Sequence, residues 1–121
     1  MFGVLPSTLP YIRSGQLRAL GVTTTNRQEV LPDLPAINEF LPGYDASGWF
    51  GIGAPENTPA EFVERLNNEI NAGLADPKLK ARIADLGAMV FAGSPANFGK
   101  FIADETEKWG KVIRAANIKL E

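Results

Sequence analysis

Ser7, Trp49 and Phe50 are the side chains whose type and position suit a small bound ligand. Ser7 stands at the start of a short helical pattern, where its hydroxyl and the nearby backbone N–H groups either cap the helix or face an anion. Trp49 and Phe50 are consecutive in an extended segment, so alternation sends their rings to opposite faces. Either one ring faces a cleft or both are packing. Thr23, Thr24 and Thr25 follow an earlier extended segment, and they either line the same region or are solvated. Asp104, Glu105 and Glu107 form a carboxylate cluster, but lysines alternate with them on the polar side of a helix, the pattern of a solvated face. Gly51-Ile52-Gly53 lacks the third glycine of a dinucleotide loop because position 56 is Glu.

What the sequence omits narrows the chemistry further. It contains no Cys and no His, which removes thiolate chemistry, disulfides, the usual zinc clusters and the side chain most used for proton transfer near neutral pH. An enzyme would need a nucleophile or base poised against a partner, and each remaining carboxylate, lysine or hydroxyl has a structural explanation. No catalytic residue, metal ligand or cofactor site is expected. The 12 basic and 14 acidic side chains are interspersed, so no basic stripe exists to neutralise phosphates and no nucleic-acid partner is expected. The longest apolar run is too short for a bilayer span, and the first residues lack the basic, apolar and small-residue regions of a signal peptide.

The elements that must position these residues follow from periodicity and caps. With 121 residues and 45% hydrophobic content the chain has the material for one small domain. Leu5 to Gly15 predicts a short helix, capped by Ser7 and closed by Gly15 in the left-handed position. Residues 17 to 23, 48 to 54 and 88 to 91 predict strands. Between the first two lies a connector in which Pro32, Pro35 and Pro42 fix φ and hold their predecessors extended, a stiff segment able to cover distance. Thr58-Pro59-Ala60-Glu61 predicts a capped helix start, repeated as Asp76-Pro77 and Ser94-Pro95. The last of these helices carries Phe98, Phe101, Ile102, Trp109, Val112 and Ile113 as an apolar stripe expected to be buried. The order α, β, connector, β, α, α, β, α predicts an α/β architecture with short, mostly parallel strands flanked by helices. Three strands make a thin sheet, as in a part of a larger fold.

Tyr11 to Thr23, Arg27, Leu31-Pro32-Asp33-Leu34-Pro35, Glu39, Pro42-Gly43-Tyr44, Trp49-Phe50-Gly51, Ala54-Pro55 and Thr58-Pro59 together carry a resemblance. With Ala75-Asp76-Pro77, Leu86-Gly87 and Trp109 to Ile118, the sequence resembles the C-terminal part of the tripartite tricarboxylate transporter substrate-binding proteins, also called Bug receptors. The resemblance covers essentially the whole chain. It implies a partial periplasmic-binding-protein type II fold, with residues 1–24 ending the second lobe, 25–47 forming the proline-rich interlobe crossing and 48–121 the C-terminal part of the first lobe. It also implies a periplasmic receptor that binds small carboxylates in a cleft and delivers them to the membrane components of a transporter. Two departures stand out: Pro35-Ala36 occupies a position where the family commonly has Pro-Thr, and the segment Glu39-Phe40-Leu41 is one residue shorter than its commonest form.

Two functions of different kinds follow. The first is the solute receptor, or a C-terminal fragment of one. The second is a non-catalytic interaction module derived from it, self-associating as a homo-oligomer through exposed strand edges or by exchange of the proline-rich segment.

Overall fold

The computed structural model describes residues 1–119. The last two positions of the 48–121 span, Leu120 and Glu121, lie outside the described residues. The chain divides into two units, one formed by Met1–Ala54 with Gly73–Val90 and the other by Pro55–Ala72 with Phe91–Glu121.

The first unit begins with α1 (Leu5–Arg13), which has Val4 as N-cap and Pro6 inside its first turn. Its C-terminal end closes on Gly15, whose φ of 75° is the left-handed conformation expected there. Leu9, 2% exposed, is its buried side chain. The unit also holds α3 (Pro77–Asp85), where the Asp76 carboxylate accepts from the amides of Lys78 and Leu79, both at 2.9 Å. That helix ends in a Schellman motif: the Gly87 amide donates to Ala84 O, the Ala88 amide to Ile83 O, and Gly87 takes a φ of 76°. The α3 start and both helix stops are local, encoded within a few residues, and form as the sequence predicts; the cap of α1 does not, since it is Val4 and not Ser7.

The proline-rich segment does not run out across a distance. It folds back into a closed loop whose ends meet, with the Ala46 amide donating to Thr23 O at 3.0 Å and the Thr23 hydroxyl donating to Ala46 O at 3.1 Å. The prolines serve its turns. Pro42 and Gly43 are the central pair of a turn closed by Tyr44 N–H to Leu41 O, and Gly43, at φ 87°, supplies the positive φ that a type II turn requires. A second turn, around Pro32, is closed by Leu34 N–H to Leu31 O. A short 3-10 turn, Ile37–Glu39, follows Ala36.

The expected strands do not form a sheet. Among the described residues the regular pairing is one parallel bridge, Val22 to Ala36, made by Val22 N–H to Pro35 O and Ile37 N–H to Val22 O at 2.9 Å each. Residues 48–54 and 88–91 are irregular and join no ladder among the described residues. The physical reason is that a strand's donors and acceptors point sideways and need a neighbouring strand, which the sequence of one segment cannot supply.

The second unit contains most of α2 (Ala60–Ala75) and all of α4 (Pro95–Ala115). Ser94 caps α4 by accepting from the Asn97 amide at 3.1 Å, and Asn117, at φ 52°, ends it in a second Schellman motif. Thr58 departs from its expected role: its hydroxyl donates to Pro55 O at 2.8 Å, holding the turn that precedes α2. Asn67 and Asn71, four apart on α2, both donate to Gly93 O, at 2.8 and 3.0 Å, and so fix the approach to α4. The apolar stripe of α4 is not a core. No described residue of this unit is fully buried, and Trp109, Val112 and Ile113 are over a third exposed. The stripe's period fixes which side chains share a face but not what covers that face.

Candidate functional site

The candidate site lies in the first unit, where the extended aromatic segment leaves the closed loop. Trp49 is 42% exposed and Phe50 85% exposed, so neither ring is buried as core in this chain. The segment starts beside the first turn of α1, because a Cβ placed on Gly48 lies 3.4 Å from Val4 Cγ1. Val4 is also the residue to which Ser7 turns. The structure therefore places the beginning of α1 and the beginning of the aromatic segment near each other.

Ser7 is not the cap. It is the third residue of α1, and its hydroxyl donates to Val4 O at 2.9 Å while its amide donates to the same carbonyl at 3.2 Å. The helix starts at Leu5, as its pattern predicts, but the cap falls on Val4 and not on Ser7, because Pro6 is preorganised for the first turn and needs no amide partner there. Both Ser7 donors are thus spent on the Val4 carbonyl in this conformation.

The threonines at the end of the expected first strand are structural. Thr23 closes the loop, and Thr24 Oγ1 accepts from Gln28 Nε2 at 2.9 Å and donates to Asn26 O at 2.7 Å. Gln28 is the one buried polar side chain among the described residues, and it is satisfied.

The strongest electrostatic feature is one that sequence reading registered only as a pair of motif positions. Arg27 donates through Nε and Nη2 to the two carboxylate oxygens of Glu39, each at 2.8 Å, and through Nη1 to Pro32 O at 3.2 Å. The Ala36 amide also donates to Glu39 Oε1, at 2.8 Å. A bidentate guanidinium–carboxylate pair with a third donor is the strong form of such a contact. The signal that could have found it is an Arg and a Glu flanking a Pro-x-x-Pro turn with opposite charge.

The bond from Arg27, aided by the Ala36 amide, lowers the Glu39 carboxyl from its ordinary 4.5 to about 2. Because the folded value lies below the unfolded one, the unfolded chain binds the extra proton between them, and stability rises with pH in that window. The contribution is fully present above about pH 4.5 and fades as pH falls toward 2. An NMR titration of the Glu39 side-chain carboxyl is expected to show a midpoint near 2, and a midpoint at the ordinary value would mean the fork does not persist in solution.

Other candidates are placed elsewhere. Asp104 pairs with Lys100 at 2.6 Å and Glu107 with Lys111 at 2.6 Å, both on a solvated face as expected, but the third carboxylate of the cluster, Glu105, is mostly covered. Glu105 accepts from Lys108 at 2.7 Å and from Trp109 Nε1 at 2.9 Å. Gly51-Ile52-Gly53 is irregular and is followed by a turn, not by a helix start suited to a phosphate. An open groove of about 290 Å³ in the first unit is lined by Ile12, Ala19, Val30, Leu31 and Leu34, with Asp33 its charged residue. Among the described residues no group of carboxylates is arranged to hold a metal ion, and no helix is long and apolar enough to cross a membrane.

Comparison with known proteins gives this geometry a context. The family model for the tripartite tricarboxylate transporter family receptor matches residues 1–118. Protein BugT of Bordetella pertussis (strain Tohama I) is 35% identical over 118 residues, which are 97% of this chain and 36% of BugT. A solved structure described as R. palustris Rpa4515 with adipate is 36% identical, with a TM-score of 0.86 over 94% of this chain and 38% of that one. A structure of the periplasmic binding protein BugD is 32% identical, with a TM-score of 0.83 over 94% of this chain and 39% of BugD. The chain spans about a third of the length of the curated relatives it matches.

Proposed function

The chain belongs to the tripartite tricarboxylate transporter receptor family, and from that premise we propose that it works as part of a periplasmic solute receptor for small carboxylates. The receptor hands its ligand to the membrane components of a tripartite tricarboxylate-type transporter. The observation that carries this reading is the fold match, at a TM-score of 0.86, to a receptor whose structure was solved with adipate. In this reading residues 1–24 end one lobe, 25–47 form the passage between lobes and 48–121 belong to the other. The segments at 17–23, 48–54 and 88–91 serve in this reading as strands of a mostly parallel sheet in the whole receptor, which accounts for the single bridge they form among the described residues.

Trp49 and Phe50 are the proposed ligand-side residues, one ring toward the cleft and the other into the sheet. Ser7 joins them by rotating its hydroxyl away from Val4 O, an exchange of one hydrogen bond for another that costs little. Ligand closes the two lobes because it contacts both, and the closed form is what the transporter recognises. No step requires bond chemistry, so the receptor is not an enzyme.

The test is a graft. Residues 1–118 replace the matching part of the adipate receptor, and the product is titrated calorimetrically with adipate and other dicarboxylates. Saturable binding is expected, and Trp49→Ala in the graft is expected to weaken it about tenfold or more, as for a buried aromatic anchor. A folded graft indifferent to every carboxylate rejects the reading.

Residues 48–54, which join no regular ladder among the described residues, also favour a second reading, a module that self-associates by strand pairing. Light scattering separates the two, because a monomer at all concentrations removes the motive for self-association.

A further inference from the structure

We propose that Arg27 and Glu39 are positioning residues: their fork is a latch that fixes where the aromatic segment leaves the closed loop. The inference rests on the proposed ligand-side role of Trp49 and Phe50. The latch acts through a continuous series of contacts within the first unit. Glu39 holds the Ala36 amide, and Ala36, 1% exposed, is the bridge partner of Val22. Val22 adjoins Thr23, which holds Ala46 by two hydrogen bonds. Ala46 lies three positions before Trp49.

Each link has little freedom. Gly21 sits so close to the loop that a Cβ there would lie 3.1 Å from Pro35 O. The loop's far side is tied as well, by Asn38 Nδ2 to Thr25 O at 3.3 Å and by the Gly43 amide to Asn38 Oδ1 at 2.8 Å. Arg27 also grips Pro32 O, so one guanidinium spans the loop between its first turn and its 3-10 turn. A lysine at position 27 would supply the charge without the planar fork and cannot hold both carboxylate oxygens and the carbonyl in this geometry.

The experiment is amide hydrogen exchange by NMR on the 121-residue chain and its variants Arg27→Gln and Arg27→Lys. Arg27→Gln is expected to speed exchange of the Ala36, Ile37 and Ala46 amides about tenfold or more, with α1 and α4 amides at wild-type rates, since a charge-assisted bond rather than the whole unit has been lost. Arg27→Lys is expected to recover only part of that protection. Acceleration at Ala36 with Ala46 unchanged overturns the proposal, as does full protection in Arg27→Lys. If Arg27→Gln also releases α1, Glu39→Gln decides by the same criterion, because it keeps an oxygen for the Ala36 amide.

A second arm reads the ligand. The receptor graft carrying Arg27→Gln is expected to stay folded, with a modestly lowered melting temperature, and to bind adipate about tenfold more weakly at a temperature well below its melting. Equal affinity in the two grafts overturns the latch. A wild-type graft that binds no carboxylate rejects the functional reading instead, and the exchange rates still decide the latch.

Discussion

Gly87→Val is expected to destabilise the unit formed by Met1–Ala54 and Gly73–Val90 by about 2–5 kcal/mol, against about 1–2 kcal/mol for Gly15→Val. Both glycines end a helix in the left-handed region, at φ 76° and 75°, so both substitutions carry the same backbone cost. They differ in what a side chain would meet. A Cβ at position 87 would lie 2.7 Å from Leu5 Cγ and 2.9 Å from Leu5 Cδ2, whereas nothing lies within 4 Å of one at position 15. The branch atom of Leu5 cannot swing away as a terminal methyl can, so the first turn of α1 must shift. That turn carries Val4, the residue against which Gly48 and the aromatic segment rest. Urea denaturation followed by circular dichroism measures the difference between the two variants, and equal costs would mean that Leu5 is not packed on Gly87.

How much of this was legible in the sequence depended on the range of the forces involved. Asp76, Ser94, Gly15 and Gly87 act on backbone groups within five residues of themselves, and all four do what their types and positions predict. Thr58 shows where that logic is overruled, since its hydroxyl finds the Pro55 carbonyl of a preceding turn. Ser7 shows the same, because with Pro6 in the first turn the cap falls on Val4 while the helix starts at Leu5 as predicted. The proline-rich segment was legible as stiff but not as closed. Proline restricts each dihedral, while the direction of the path is set by Arg27 meeting Glu39 and Thr23 meeting Ala46, pairs separated by 12 and 23 positions. Strand propensity at 48–54 and 88–91 was read from side-chain types, yet a strand is a property of two segments, and its partners are not in the pattern of either one. The ligand-side residues were legible only as aromatic and hydroxyl types beside an extended segment. The approach of Gly48 to Val4, which gathers them, depends on tertiary packing.

Leu9→Ala is expected to cost about 2–4 kcal/mol, measured by the same urea denaturation, because Leu9 is a fully buried large side chain and its removal leaves a cavity as well as a lost transfer term. Phe50→Ala, at 85% exposure, is expected to change the stability of the chain by no more than about 0.5 kcal/mol. The contrast has a functional edge. If the extended aromatic segment is a strand of a larger sheet, Phe50 becomes buried in the adipate-receptor graft, and there Phe50→Ala is expected to cost about 3 kcal/mol or more. A ring that is silent in the chain and costly in the graft belongs to the sheet, which leaves Trp49 as the ring toward the cleft. A ring silent in both contexts stability-wise, but whose loss weakens adipate binding, exchanges those two roles. Cost in the isolated chain alone would mean that the chain covers Phe50 by itself in solution, through self-association that the light-scattering measurement detects.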